Sequence, residues 1–321
     1  MENPKFNFQP TVLISSNEDI RYRGSSGGII TQIIQYLFDM NKINTCLGFR
    51  FEGVELFKPY LLYKYDDYIQ SGSIYHHINI YNFLKENIKN IQPPLFLTCL
   101  PCQIGPIRRL LLKHNIDAVM IALVCSSQLE KEATYYFLEK NNIDIKEVEE
   151  FRYRGNGWPS GIQCVARDKE YFFHNNNSKW IDIFHSQIFN LKKCFACKDT
   201  FGLEADISVA DPWLKRYIEN DSIGASIVLP HSKKGGAVIQ AIIKDGRVKL
   251  IELLNSDEVV LSQKVTLVRK HLFKKYRIGE SLIIKMIRTS YYKKMYYRIS
   301  TLHRKIFFKI IAIAKRFQRE K

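Results

Sequence analysis

The sequence predicts an α/β fold: a mixed sheet flanked by helices, with a β-rich C-terminal part of the core and a basic amphipathic C-terminal helix beyond it. Three observations carry that expectation. Short apolar runs at 11–15, 46–51, 95–98 and 118–124 alternate with helically periodic stretches at 29–40, 80–89, 104–113 and 129–141, the spacing of an α/β sheet. Past residue 147 the pattern changes to short strands and turns, at 151–154, 162–166 and 171–174. From about residue 293 two stripes recur at helical steps. Lys294, Arg298, Lys305, Lys309 and Arg316 form the basic stripe; Met295, Ile299, Leu302, Ile306, Ile310, Ile313 and Phe317 form the apolar one.

Taken in order, the strand at 11–15 runs into a polar loop ending in Gly24-Ser25-Ser26-Gly27-Gly28, and a helix opens at Ile29. Strands at 46–51 and 60–65 follow. The helix at 80–89 stops before Pro93-Pro94, a natural boundary. Leu95-Phe96-Leu97-Thr98 then reads as a buried strand leading into Cys99-Leu100-Pro101-Cys102 and a helix. The run at 118–124 is apolar throughout, as a parallel strand covered on both faces would be, and it ends at Cys125. A strand returns at 227–229 with a helix behind it at 237–244. These breaks divide the chain into segments 11–92, 93–260 and 261–321.

The formal charge of +16 is concentrated at one end. Residues 261–321 hold eighteen Lys or Arg against two Glu, so the remaining thirty basic and thirty acidic side chains cancel. A neutral body gives no electrostatic footprint for nucleic acid, and none is expected as a partner. The basic stripe beside an apolar face suits a helix lying on an anionic membrane surface; docking on the body or on a partner is the plainer alternative. The chain opens without a basic-then-apolar leader, and no apolar run approaches the roughly eighteen residues that span a bilayer. The expected location is the cytoplasm, peripheral at the inner face of the membrane if the tail holds lipid. Thiols stay reduced there, so seven cysteines point to metal or redox chemistry rather than disulfides.

Cys194-Phe195-Ala196-Cys197 is the sharpest local feature, because two thiolates at this spacing on a turn reach one metal centre. A structural zinc, an iron–sulfur cluster and a redox dithiol all use it. Cys102 and Cys125 each follow an apolar strand, so both stand at the carboxyl edge where open α/β sheets bind ligands. Cys99 reads as a buried filler, and Cys46 and Cys164, inside strand patterns, as packing residues. The Gly24–Gly28 loop opens a helix whose free N–H groups suit a phosphate, although Gly-Ser clusters more often only turn the chain.

At these residues the sequence resembles the β-subunit family of coenzyme F420 hydrogenases and dehydrogenases, whose relatives include flavin and iron–sulfur reductases and members in polysaccharide gene clusters. The resemblance covers about residues 20–245. It rests on the glycine loop, Pro101-Cys102-Gln103, Cys125 and Phe151-Arg152-Tyr153-Arg154 with Gly157-Trp158. It continues through the cysteine pair to Ala205-Asp206-Ile207-Ser208-Val209-Ala210-Asp211-Pro212-Trp213. It implies a 4Fe–4S cluster on Cys102, Cys125, Cys194 and Cys197 beside FAD, with Ser25, Ser26, Gly27 and Gly28 on the flavin phosphates. Arg152 and Arg154 become candidates to stabilise the reduced ring, the alternative being a solvated strand face. Asp211 becomes a candidate for the ribityl chain, Asp206 for a turn cap, and Trp158 and Trp213 for flavin walls. Ser126-Ser127 after Cys125, Ala210 before Asp211 and Arg154 itself depart from the family pattern, and a ferredoxin-like segment common in relatives is missing. The function implied is an oxidoreductase passing electrons between cluster and flavin to a small-molecule substrate, in surface polysaccharide synthesis, with an electron-donor protein as partner. The competing reading is a non-redox accessory or zinc-binding protein that keeps the fold.

Overall fold

A computed structural model describes residues 6–175 and 178–275. Eleven strands are described: β1 (Thr11–Ser15), β2 (Thr45–Phe51), β3 (Phe57–Leu62), β4 (Leu95–Cys99), β5 (Ala118–Leu123), β6 (Val148–Arg152), β7 (Gly161–Ala166), β8 (Lys169–His174), β9 (Ile207–Ala210), β10 (Ser226–Pro230) and β11 (Val248–Leu253). Eight of them form one mixed sheet in the order β11-β1-β10-β9-β5-β4-β2-β3. Its centre, β9-β5-β4-β2, is parallel, and antiparallel strands complete both edges. β6, β7 and β8 make a separate antiparallel sheet, the β-rich part expected from the sequence.

The central strands form because their side chains are apolar on both faces, leaving each face a partner layer. Val119 and Ile121 of β5 face one core with α2 (Ile29–Asp39) and α8 (Lys233–Lys244); Met120 and Ala122 face the other with α3 (Ile80–Glu86) and α4 (Pro101–Lys113). Cys46 belongs to the first of these cores and Cys99 to the second, both buried. A third core joins β6–β8 to α5 (Glu132–Lys140) and α6 (Lys179–Ser186), and buries Cys164. Several helix starts are written locally. Asn17 caps α1 (Glu18–Arg23), Ser232 caps α8, and Asn255 with Glu258 forms a capping box on α9 (Ser256–Ser262).

β1 lies between β10 and β11, so the sheet interleaves strands from both sides of the Pro93-Pro94 boundary. α7 (Lys215–Asn220) and α10 (Lys264–Lys275) complete the described helices. α10 is built into the body: Arg269, Lys270, Leu272 and Phe273 are buried, and Phe273 packs on Phe195 with ring centroids 5.0 Å apart. The first residues of the basic segment thus serve as core. The amphipathic helix expected from residue 293 lies outside the described residues.

Candidate cofactor site

The glycine loop sits at the carboxyl edge of the parallel strands, threaded between β1 and β10. Ser15 N–H donates to Gly27 O at 2.7 Å, Gly27 N–H donates to Ser226 Oγ at 2.9 Å, and Ser26 Oγ donates to Ala225 O. A Cβ on Gly27 would stand 2.7 Å from Leu13 O and 2.8 Å from Ser226 N, so only glycine fits this backbone crossing. Gly28 caps α2 in the left-handed region at φ +77°. The first-turn N–H groups of α2 therefore open, without intrahelical acceptors, toward the space in front of the loop.

That space is an open cleft, lined by Gly24, Ser25, Ser26 and Gly28 on one side. The strand ends supply Thr98, Leu123, Val124, Val209 and Ala210, and a facing loop supplies Gln70 through Ser73. Ser73 N–H donates to Ser25 Oγ at 2.7 Å, which ties the two walls together. The cleft lies outside the strand ends, where ligands of open α/β sheets bind, and a helix N-terminus with free N–H groups favours an anion there.

Arg154 and Asp211 also line the cleft, and Asp211 directly follows the β9 residue that pairs with Ile227, next to the Ser226 that holds Gly27. Arg154 donates from both Nη atoms to the two Asp211 carboxylate oxygens, at 2.8 and 2.9 Å. Trp158 Nε1 donates to Asp211 Oδ1 at 3.0 Å, and Trp158 packs on the half-exposed Trp213 with centroids 4.9 Å apart. Burial works against the charge on Arg154, but Asp211 more than offsets it and lifts its pKa above the ordinary value. Arg152 is placed differently. It lines another cleft, behind the loop, and its Nη2 donates to Arg23 O at 2.7 Å, bracing the turn before Gly24. Asp206 spans two elements: Oδ2 accepts from Met120 N–H at 3.0 Å and Oδ1 accepts from Ser232 Oγ at 2.7 Å. It clasps β5 to the start of α8 rather than capping a turn of its own.

The four singled-out cysteines approach one another from three parts of the chain. Cys102 lies in the first turn of α4, Cys125 just past β5, and Cys194 and Cys197 on a tight 3-10 turn. Burial pushes the Cys125 thiol up to about 12, and Cys194, Cys102 and Cys197 each add to the rise while Lys270 opposes it. Burial also raises Cys194 against the Gln128 N–H, which donates to its Sγ at 3.4 Å, and Cys102 and Cys197 raise it further. Cys102 is exposed as a residue, yet partial loss of water around its sulfur raises its pKa, with Lys193 opposing and Cys197 adding. Cys125 is thus raised by all three of the others, Cys194 by Cys102 and Cys197, and Cys102 by Cys197. Lys270 Nζ donates to Cys197 Sγ at 3.4 Å and to Asp199 O, so a cation is already hydrogen-bonded into the group.

Among the described residues no three His, Cys, Asp or Glu side chains are grouped as ligands of one metal ion. A single zinc draws its sulfurs to ~2.3 Å from one point. A 4Fe–4S cubane instead takes one thiolate on each of four irons, so its ligands stand farther apart. Four thiols with a lysine donor fit that larger group in donor type and number.

Sequence reasoning missed Arg269 and Lys270, which it counted as tail charge. It also missed the Gln70–Ser73 wall. The available signal for the pair was apolar Leu272 and Phe273 directly after them, the mark of a packed helix rather than a solvated one.

A glycine loop at a helix start and a cleft over the ends of parallel strands define an α/β protein with a ligand-sized cleft at the carboxyl edge of its sheet. Residues 12–85 match the coenzyme F420 hydrogenase/dehydrogenase β-subunit N-terminal family and residues 94–255 the matching C-terminal family. The chain belongs to the coenzyme F420 hydrogenase/dehydrogenase β-subunit family, a family of oxidoreductase subunits. It is 24% identical over 244 residues to a coenzyme F420-dependent sulfite reductase of Methanocaldococcus jannaschii, covering 70% of this chain and 36% of that protein. The chain therefore spans about a third of that relative's length. The fold also resembles a chain of the F420-reducing [NiFe] hydrogenase complex from Methanosarcina barkeri. There the TM-score is 0.64 with 16% identity, over 88% of this chain and 97% of that one.

Proposed function

We propose that this chain is an iron–sulfur flavoprotein that carries electrons between a 4Fe–4S cluster and FAD to reduce or oxidise a small molecule. What supports the reading is the linkage of the segments that carry Cys102, Cys125, Cys194 and Cys197. Cys125 N–H donates to Thr200 O at 3.0 Å, Gln128 N–H donates to Cys194 Sγ at 3.4 Å and Lys270 Nζ donates to Cys197 Sγ at 3.4 Å, while Cys102 adds to the raised pKa of both Cys125 and Cys194. Those cysteines would hold the cluster. Gly24–Gly28 and the first turn of α2 would hold the flavin phosphates, with Arg154 and Asp211 in the same cleft as candidates to meet the ring. Bound there, a cluster supplies one-electron transfer and a flavin its coupling to two-electron chemistry. The chain's own contribution is to exclude water, to fix the flavin's anionic end on backbone N–H groups, and to keep a guanidinium in the same cleft.

Electron supply by a separate redox protein belongs to the same proposal, supported by relatives that are parts of larger redox proteins or complexes. So does a place in surface polysaccharide synthesis, which gene neighbourhood would test. No helix among the described residues is long and apolar enough to cross a membrane; peripheral membrane contact through the basic segment is part of the proposal. The deciding measurement is iron, sulfide and flavin content of oxygen-protected protein. Near four irons and one flavin per chain is expected, with both signals bleached by reductant. Colourless protein after reconstitution with iron, sulfide and FAD would end the redox reading.

A further inference from the structure

A second cleft opens beside the first and shares Ser73, Leu123, Val124, Arg154 and Asp211 with it. Cys125, Ser126 and Ser127 lie along it, and Trp180, Phe184 and Trp213 give it aromatic walls. Arg269 reaches this cleft from the inner face of α10, outside the stretch matched to the family.

Among the described residues no carboxylate pairs with Arg269. The residue is 3% exposed, and burial alone pulls its pKa down to about 10. Nη1 donates to Ser126 Oγ at 2.6 Å, Nη2 meets His185 Nδ1 at 3.1 Å, and the guanidinium carbon lies 5.9 Å from the Phe184 ring centroid. None of these is an anion, and Arg269 Nε is buried without a partner. Ser127 Oγ, on the same cleft, is also buried and unpartnered. Among the described residues the one carboxylate along the cleft, Asp211, already spends both oxygens on Arg154. A guanidinium removed from water without a counter-ion is costly, as is a hydroxyl without a partner. An oxyanion in this cleft would supply the counter-charge that Arg269 lacks.

We propose that the second cleft binds a small organic anion, a carboxylate or phosphate ester, with its charged end toward Arg269 and Ser127 and its body against Trp180 and Trp213. The inference deepens the redox reading by naming the substrate's chemical class, and it rests on that reading for the substrate role alone. Because the two clefts meet at Arg154 and Asp211, an anion held here lies next to the proposed flavin cleft. Planar, always-charged arginine suits a carboxylate or phosphate better than lysine would.

The test is a titration of the full-length protein with malonate and, separately, with inorganic phosphate at constant ionic strength, read by tryptophan fluorescence. Two of the three tryptophans line the cleft. A saturable change is expected, weakened about tenfold or more by Arg269→Gln and left unchanged by Arg167→Gln, which removes an exposed surface cation. Tighter malonate binding would mark a carboxylate substrate, and tighter phosphate binding a phosphate ester. Should Arg269→Gln not fold, Ser127→Ala must weaken binding several-fold. No saturable change in the wild type overturns the proposal, as does affinity untouched by the cleft variants. Iron and flavin assays on the same samples separate the two readings. Arg269-dependent binding in protein lacking both cofactors keeps the anion site and sinks the redox role; cofactor-loaded protein without binding does the reverse.

Discussion

Arg154 and Asp211 form a two-pronged ion pair at the junction of the two clefts, with side chains only 5% and 17% exposed. Arg154 follows the small sheet and Asp211 follows β9 of the large one, so the pair joins the two sheets at the site. Removing one partner of a buried pair leaves the other charge stranded, which typically costs ~3–5 kcal/mol. Asp211→Asn should therefore lower the urea unfolding free energy by about that much and reduce flavin retention. A double Arg154→Met, Asp211→Leu variant should regain much of the stability but not the flavin. If Asp211→Asn unfolds at the wild-type midpoint, the pair does not join the sheets energetically.

Adjacent glycines in α8 should respond with opposite signs. A Cβ on Gly235 would sit 2.0 Å from Asp206 O, in rigid backbone, whereas one on Gly236 would meet only Phe8 ring atoms at 3.5 Å and beyond. Gly236→Ala removes the helix penalty of glycine and should stabilise by ~0.5–1 kcal/mol. Gly235→Ala should destabilise strongly, by several times that amount, because α8 must move off Asp206. Thermal melts of the two variants check both signs. Equal shifts would mean that α8 does not pack so closely on the turn before β9.

Much of this layout was legible in the sequence. β4 and β5 are apolar on both faces, which only a covered parallel strand needs, and their ends located Cys102 and Cys125 correctly. The glycine loop announced itself by composition. β9 is four residues long, too short to show a period in the sequence. The second cleft was invisible for another reason. Arg269 and Ser126 are 143 residues apart, and nothing local distinguishes a buried arginine from the seventeen other basic residues after Leu261. Arg152 and Arg154 sit two residues apart and yet face different clefts, because the strand ends between them.

His76 links pH to stability. It is buried, stacked on Phe57 with Nδ1 3.2 Å from the Tyr153 hydroxyl, and burial pulls its pKa from 6.5 down to about 4. At pH 8 both folded and unfolded chains carry a neutral ring and the residue adds no slope. Below about 6.5 the unfolded chain binds a proton that the folded chain refuses, so stability falls until the folded ring titrates near 4. The full effect is at most ~3 kcal/mol. His76→Phe should therefore flatten the pH dependence of the unfolding free energy by close to one proton across that window. The same slope in the variant would show that the acid sensitivity arises elsewhere, with His77 and His231, also depressed to about 4, as the next groups to replace.

Iron retention should sort the cysteines by position. Cys102, Cys194 and Cys197 each raise Cys125, while Cys46 and Cys164 feel no other cysteine and Cys99, although Cys102 raises it, is enclosed in the core under α3 and α4. Cys125→Ser and Cys194→Ser should strip most iron and sulfide from oxygen-protected protein. Cys99→Ala should keep both and show only the modest instability of a small core cavity, ~1 kcal/mol. Lys270 supplies a finer test, because its ammonium donates to Cys197 Sγ from a helix beyond the matched family segment. A hydrogen bond from a cation to a ligating sulfur favours the more reduced, more negative cluster. Lys270→Met should accordingly leave iron content near the wild-type level and lower the reduction potential. Iron lost equally from Cys99→Ala and Cys125→Ser would dissolve the distinction between core and site thiols on which the redox reading rests.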